Sequence, residues 1–293
     1  MIIQIENLHH TYMEGTPFET KVLHGVNLEV KEGELVAIVG PTRSGKSTLV
    51  QYMNALFLPK TGRVVVDGHD TSKKTVDVRK VRQTVGLVFQ YPEHQLFQET
   101  VGKDVAFGPK VCGIPQEEID GRVLAALDAV GLDPKVFKNR YIFALSGGQK
   151  RRAAIAGVLA LQPKVMIFDD PTAGLDPKGR EEILGTIRRV HEKQGLTVVL
   201  VSNNLEDVAR MARRVVVLSE GKVVLEGSPH EVFSQVGVMR QIGLGLLQTV
   251  EIMSKLRERG FDLPLDALDV DETARRIFQY KQALKGGSSG GAI

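Results

Sequence analysis

Glu34-Leu35-Val36-Ala37-Ile38-Val39-Gly40-Pro41-Thr42-Arg43-Ser44-Gly45-Lys46-Ser47-Thr48 is the stretch on which the fold turns. Glu34 to Val39 reads as a buried strand, and Lys46 to Phe57 reads as a helix. Between them lies the Gly-x-x-x-x-Gly-Lys-Ser spacing of a phosphate-binding loop, in the strand–loop–helix context that such a loop needs. Gly40 and Gly45 let the backbone wrap phosphates, with N–H groups turned inward at a helix N-terminus. Lys46 would reach the β- and γ-phosphates of ATP, and Ser47 would ligate Mg²⁺ through its hydroxyl. Pro41, Thr42, Arg43, Ser44 and Thr48 complete the loop.

Outward from this loop the pattern alternates. Ile2 to Leu8, Val26 to Val30, Arg63 to Val66 and Val85 to Phe89 read as strands. Pro92 to Leu145 turns helical, with Gln116 to Val130 its clearest amphipathic stretch. A second glycine motif, Leu145-Ser146-Gly147-Gly148-Gln149, opens a basic helix over 148–161. Val165 to Phe168 reads as a short buried parallel strand ending in Asp169-Asp170. A helix over 181–193, a strand over 197–201, a helix over 205–212 and a hairpin of 215–218 with 222–225 follow. The expectation is an α/β fold: a mostly parallel sheet flanked by helices, with an antiparallel β part and a helical insertion. Residues 1–232 form the main domain, with the helical subdomain at about 92–147. Residues 233–285 form a helical extension, through 246–259 and 271–285, that would either add a dimer contact or cap its own domain. Residues 286–293 read as a flexible Gly/Ser tail.

The bulk numbers bound the function. The 293 residues are 42% hydrophobic and 25% charged, as in ordinary globular proteins. A net charge of +3 gives no argument for nucleic acid. Cys112 is the single cysteine, so an intrachain disulfide is excluded and a reducing compartment fits. No signal peptide is read at the start, and the apolar runs are strand-sized, so any membrane role would come through a partner.

Asp169, at the end of its strand, is placed to hold Mg²⁺ directly or through water. Asp170 follows where a base or water-orienting group would face the γ-phosphate. The phosphate loop, Gln90, Leu145 to Gln149, Phe168-Asp169-Asp170-Pro171-Thr172 and Gly174-Leu175-Asp176 occur in the order and spacing of the ABC ATPase family, which residues 1 to about 232 resemble. The resemblance implies a head-to-tail dimer with two ATPs at its interface, each held between one phosphate loop and the other subunit's Ser-Gly-Gly motif. Ser146, Gly147, Gly148 and Gln149 would then contact the partner's nucleotide, and Asp176 would lie at the bound nucleotide. Gln90 would sense Mg²⁺ and a membrane partner, and Tyr12 would stack on adenine.

Gln90 to Phe97, Val105 to Pro109 and Thr16 to Thr20 narrow the resemblance to the ATPases of energy-coupling-factor transporters, of the A′ type. Those import vitamins and transition-metal ions through a second ABC ATPase subunit, a transmembrane coupling subunit and a substrate-binding membrane subunit. The implied place is the cytoplasmic face of the cell membrane, as a peripheral protein. The helical insertion and Gln90 would form a groove for the coupling subunit, where Glu93 and Glu99 read as solvated acids or as partners of its basic residues. Two other readings stay open: a soluble ABC ATPase outside transport, and a non-catalytic nucleotide-dependent clamp.

Three positions depart from the family pattern. Arg43 stands where glycine or a small residue is usual, Asp170 where glutamate is usual, and Asn203 where the switch histidine is usual. Arg43 would crowd the loop or swing out toward phosphate or solvent. Asn203 can donate a hydrogen bond but carries no titratable proton. Their clustering leads to the expectation that this chain's own site binds ATP but hydrolyses it slowly, while the intact Ser146 to Gln149 motif serves the partner's site.

Overall fold

The computed structural model describes residues 1–287. These residues form two sheets. Strands β1 (Ile3–Tyr12), β2 (Thr20–Val30), β4 (Thr61–Val66) and β5 (His69–Asp70) make an antiparallel sheet in the order β2-β1-β4-β5. Strands β3 (Leu35–Val39), β6 (Val85–Val88), β7 (Val165–Asp169), β8 (Thr197–Val201), β9 (Arg214–Ser219) and β10 (Lys222–Gly227) make the second, in the order β10-β9-β3-β8-β7-β6. The second sheet is parallel from β9 through β6, and β10 closes it as an antiparallel edge. Every residue of β3, β6 and β8 is buried. That explains why these strands read as continuous apolar runs and not as alternating ones.

The first two strands run longer than their alternation suggests. The register of β1 on β2 shifts between Ile5 and Leu8 and again at Leu8/His9 and His10/Thr11. Such bulges break the two-residue period, so pairing continues where the pattern has lapsed. The helix after the phosphate loop is shorter than expected and spans Lys46–Met53. Asn54 ends it by turning its side-chain amide onto the Val85 carbonyl, and Ala55 at φ 53° redirects the chain. The helix expected from 181 starts earlier, at Pro177, because Asp176 caps it through the Gly179 N–H and proline suits the first turn. Short helices Val78–Thr84, Pro229–Phe233 and Val236–Gln241 were not anticipated. They are five to seven residues long, too brief for periodicity, although Asp77 and Ser228 cap two of them.

Helices Val101–Val105, Phe107–Val111, Gln116–Ala129 and Pro134–Phe137 lie between β6 and the helix Gly147–Leu159. Their apolar faces (Val105, Ile119, Val123, Leu127) share one core with Phe168 of β7 and Ile155. Leu244, Leu247 and Val250 carry the same core into the helix Gln248–Glu258, against which the last helix, Val270–Gly287, packs. The last of these helices takes in Gly286 and Gly287, where a flexible tail was expected; the remainder of that tail lies outside the described residues.

Candidate functional site

Four neighbouring parallel strands deliver the candidate residues at their carboxyl ends. The phosphate loop follows β3, Asn203 follows β8, Asp169 ends β7 with Asp170 directly after it, and Gln90 follows β6. Carboxyl ends of an open parallel sheet are where such folds place their ligands.

The loop itself is fixed by its glycines. A Cβ on Gly40 would stand 2.0 Å from the Leu218 carbonyl oxygen, and one on Gly45 would stand 2.7 Å from Leu23. Arg43 sits in the left-handed region at φ 68°. Its side chain is exposed, makes no hydrogen bond or ion pair among the described residues, and borders a cleft of about 830 Å³ with His24, Glu220 and Lys222. Of the two placements expected for Arg43, swinging out is the one observed. The Ser44 hydroxyl is buried without a hydrogen-bond partner. Such an orphan donor in a phosphate loop fits a phosphate oxygen.

Lys46 is buried, and its ammonium donates to the carbonyls of Gly40 (2.7 Å) and Pro41 (2.9 Å). Burial pushes its pKa down, against the pull of the Asp169 and Asp170 carboxylates. Burial likewise pushes Asp169 up; a hydrogen bond from Ser47 and the Lys46 charge oppose this, while Asp170 adds to it. Asp170 is also raised, first by burial, against the hydrogen bond from Asn203 and the charge of Lys46. Two crowded carboxylates beside Ser47 and one lysine form a donor set suited to a hard divalent cation and a polyphosphate.

The structure joins two of the three departures directly. The Asn203 side-chain amide donates to Asp170 Oδ2 at 3.1 Å, and Asp170 itself lies at φ 48°. Tyr12, partly exposed, bonds its hydroxyl to Thr48 Oγ1 (3.1 Å) and packs edge-on to His10. Gln90 is exposed at the end of β6. Ser146 and Gln149 form a capping box at the start of the helix Gly147–Leu159, leaving Gly147 with open space where a side chain would be. Among the described residues no hydrogen bond joins Ser146 to Gln149 with residues 40–48. One carboxylate oxygen of Asp176 is taken up in capping the helix Pro177–Gln194.

Sequence reasoning missed Arg151, which is 2% exposed. It binds Glu93 with two bonds of 2.9 and 2.7 Å, and the carbonyls of Pro171 and Ala173 at 2.9 and 3.0 Å. Glu93 is therefore neither a solvated acid nor free for a partner. Glu99, by contrast, is exposed and pairs with Lys103. Asp207 was missed as well: buried, it accepts from Thr172 (3.1 Å) and Arg180 (2.8 Å). The basic run Lys150-Arg151-Arg152 gave no sign of which member turns inward.

The ABC transporter family model matches residues 23–173. The energy-coupling factor transporter ATP-binding protein EcfA2 of Symbiobacterium thermophilum is 52% identical over 98% of this chain and 99% of its own length. The EcfA2 of Clostridium tetani is 48% identical over 95% of this chain and 97% of its own length. Among solved structures, CbiO1 of Clostridium perfringens, part of the ABC transporter complex CbiONQ, has a TM-score of 0.72 at 39% identity, covering 88% of this chain and 98% of its own. A dimeric post-hydrolysis state of the ATP-binding cassette MJ0796, bound to ADP and Pi, has a TM-score of 0.67 at 32% identity, covering 78% of this chain and 98% of its own. The likeness extends over nearly the whole chain and includes the strands that carry the candidate site, and the chain belongs to the ABC transporter ATPase family, among the energy-coupling factor ATP-binding proteins.

Proposed function

We propose that this chain is one half of the ATP-driven motor of an energy-coupling-factor importer, and that its own site turns ATP over slowly. The observation that carries this reading is the convergence of residues 40–48, Asp169, Asp170 and Asn203 at the ends of β3, β7 and β8. Lys46, the loop N–H groups and the Ser44 hydroxyl would hold the phosphates. Ser47, Asp169 and Gln90 would hold Mg²⁺, which when bound neutralises charge on the β- and γ-phosphate oxygens. Tyr12 would stack on adenine, and Ser146 to Gln149, with Asp176, would serve the nucleotide sites across the dimer.

Slow turnover follows from Asp170 and Asn203. Asp170 is one methylene shorter than glutamate, and its carboxylate is engaged by Asn203. Losing one well-placed group at such a site costs about 10²–10³-fold in rate. The pairing also supports a second reading, in which the chain is a clamp that closes on ATP without turning it over.

Beyond the nucleotide, a second ABC ATPase subunit would complete the dimer, and a transmembrane coupling subunit with a substrate-binding membrane subunit would complete the importer. That assembly holds the chain peripherally at the cytoplasmic face of the membrane and carries vitamins or transition-metal ions. No described helix is long and apolar enough to cross a membrane. An exposed aromatic pair, Phe97 and Phe107, with ring centroids 4.8 Å apart, lies on the insertion that follows Gln90 and suits apolar helices of a coupling subunit. The test is ATP-dependent uptake by vesicles carrying the reconstituted complex. Lys46→Ala abolishes uptake, and Phe97→Asp abolishes it while leaving ATP binding by the free chain intact. Uptake that survives Lys46→Ala would contradict the reading.

A further inference from the structure

We infer that Arg151 is a positioning residue: it transmits the state of the segment after Gln90 to the loop that carries Asp170. Its guanidinium is shared between two segments. One edge takes both carboxylate oxygens of Glu93, three residues beyond Gln90. The remaining nitrogen holds the carbonyls of Pro171 and Ala173, directly after Asp170. Arg151 belongs to neither segment; it stands in the first turns of the helix Gly147–Leu159, next to the Ser146 to Gln149 motif. Three stretches that follow separate strands or open a separate helix therefore meet on one buried fork.

Two further contacts tighten this junction. The Tyr91 ring lies under the Arg151 guanidinium at 5.8 Å, and its edge is 3.4 Å from where a Cβ on Gly174 would stand. Tyr91 and Gly174 both hold positive φ, 55° and 72°, so the two turns touch at their sharpest points. Asp207, in turn, holds the Thr172 hydroxyl. Successive residues 171, 172 and 173 are thus anchored alternately by Arg151 and Asp207. The loop has little freedom while both anchors hold, and Asp170 leads into it. Among the described residues Glu93 makes no hydrogen bond to this loop itself, so its influence there runs through Arg151. Arginine is needed for geometry as well as charge, because only a planar fork with donors on two edges serves both segments at once.

The role rests on the reading that Asp170 faces the reacting phosphate, but its test does not. Amide hydrogen exchange of the full chain reads the loop through the Ala173 and Leu175 N–H groups, which bond to Asp170 O and Thr172 O. Glu93→Gln should speed exchange at those two amides about tenfold or more while the amides of β3 exchange as before, the signature of local rather than global opening. In an Arg151→Met background, or Arg151→Lys if Met fails to fold, adding Glu93→Gln should change them no further. Where turnover is measurable, Glu93→Gln should lower kcat while KM for ATP stays within about twofold, since the ATP cradle is untouched. Exchange at Ala173 and Leu175 that ignores Glu93→Gln, or that responds equally without Arg151, would overturn the inference.

Discussion

Replacing Arg43 with glycine should make the protein more stable, although it deletes the largest side chain in the phosphate loop. Arg43 holds φ 68°, a conformation that costs an L-residue about 1–2 kcal/mol. Its side chain is exposed and bonds to nothing among the described residues, so little contact energy is lost with it. Against the relief stands the extra freedom glycine gives the unfolded chain, about 0.4–1 kcal/mol. The balance is a stabilisation of about 0.5–1 kcal/mol, and for a chain of this size about 2–4 °C in Tm accompanies each kcal/mol. Thermal unfolding of Arg43→Gly without nucleotide should therefore show Tm raised by about 1–4 °C. Arg43→Ala, which keeps the Cβ and the strain, should show no such gain. A Tm lowered by the glycine variant, or raised equally by alanine, would refute the strain argument.

Other consequences concern the charged groups. Asp169→Asn should raise Tm of the Mg²⁺-free chain at neutral pH. The Asp169 pKa is raised in the folded protein, so its ionised form is held at a cost above the unfolded carboxylate value. The same variant should lose the further Tm gain that Mg²⁺ adds to ATP; retention of that gain would remove Asp169 from the metal site. Glu93 carries the opposite sign. Burial raises its pKa, but the bonds and charge of Arg151 outweigh that and hold it below the ordinary value. Its contribution is present above the unfolded value of about 4.3 and is lost as pH falls through the folded value, so Glu93→Gln should flatten the acid limb of stability below about pH 5. Arg151→Met leaves Glu93 unpaired in a largely buried place and should cost about 3–5 kcal/mol in denaturant unfolding.

The central sheet was legible because its strands are buried on both faces, which makes β3, β7 and β8 nearly continuous apolar runs, β3 leading into the glycine loop and β7 ending in a carboxylate. Their alternation with helices is the pattern of a mostly parallel sheet. The antiparallel strands were read short because bulges in β1 hide its period. The departures at 43, 170 and 203 could be found by position, but a sequence does not show that Asn203 would bond Asp170 or that Arg43 would turn outward. Arg151 was invisible for a different reason. A charged residue in a basic helix reads as solvated, and only packing reveals that four of its acceptors come from distant segments. Glu93 was misread with it, since neither member of a buried pair identifies the other.

The most direct test is ATP turnover by this chain alone at saturating Mg-ATP, compared with a variant carrying Arg43→Gly, Asp170→Glu and Asn203→His together. An engaged, shortened Asp170 and a non-titrating Asn203 predict a slow native site and a gain on the order of 10²-fold in the variant. Ordinary turnover by the native chain, with no gain from the three replacements, would contradict the account and make this chain a fully working half of the motor.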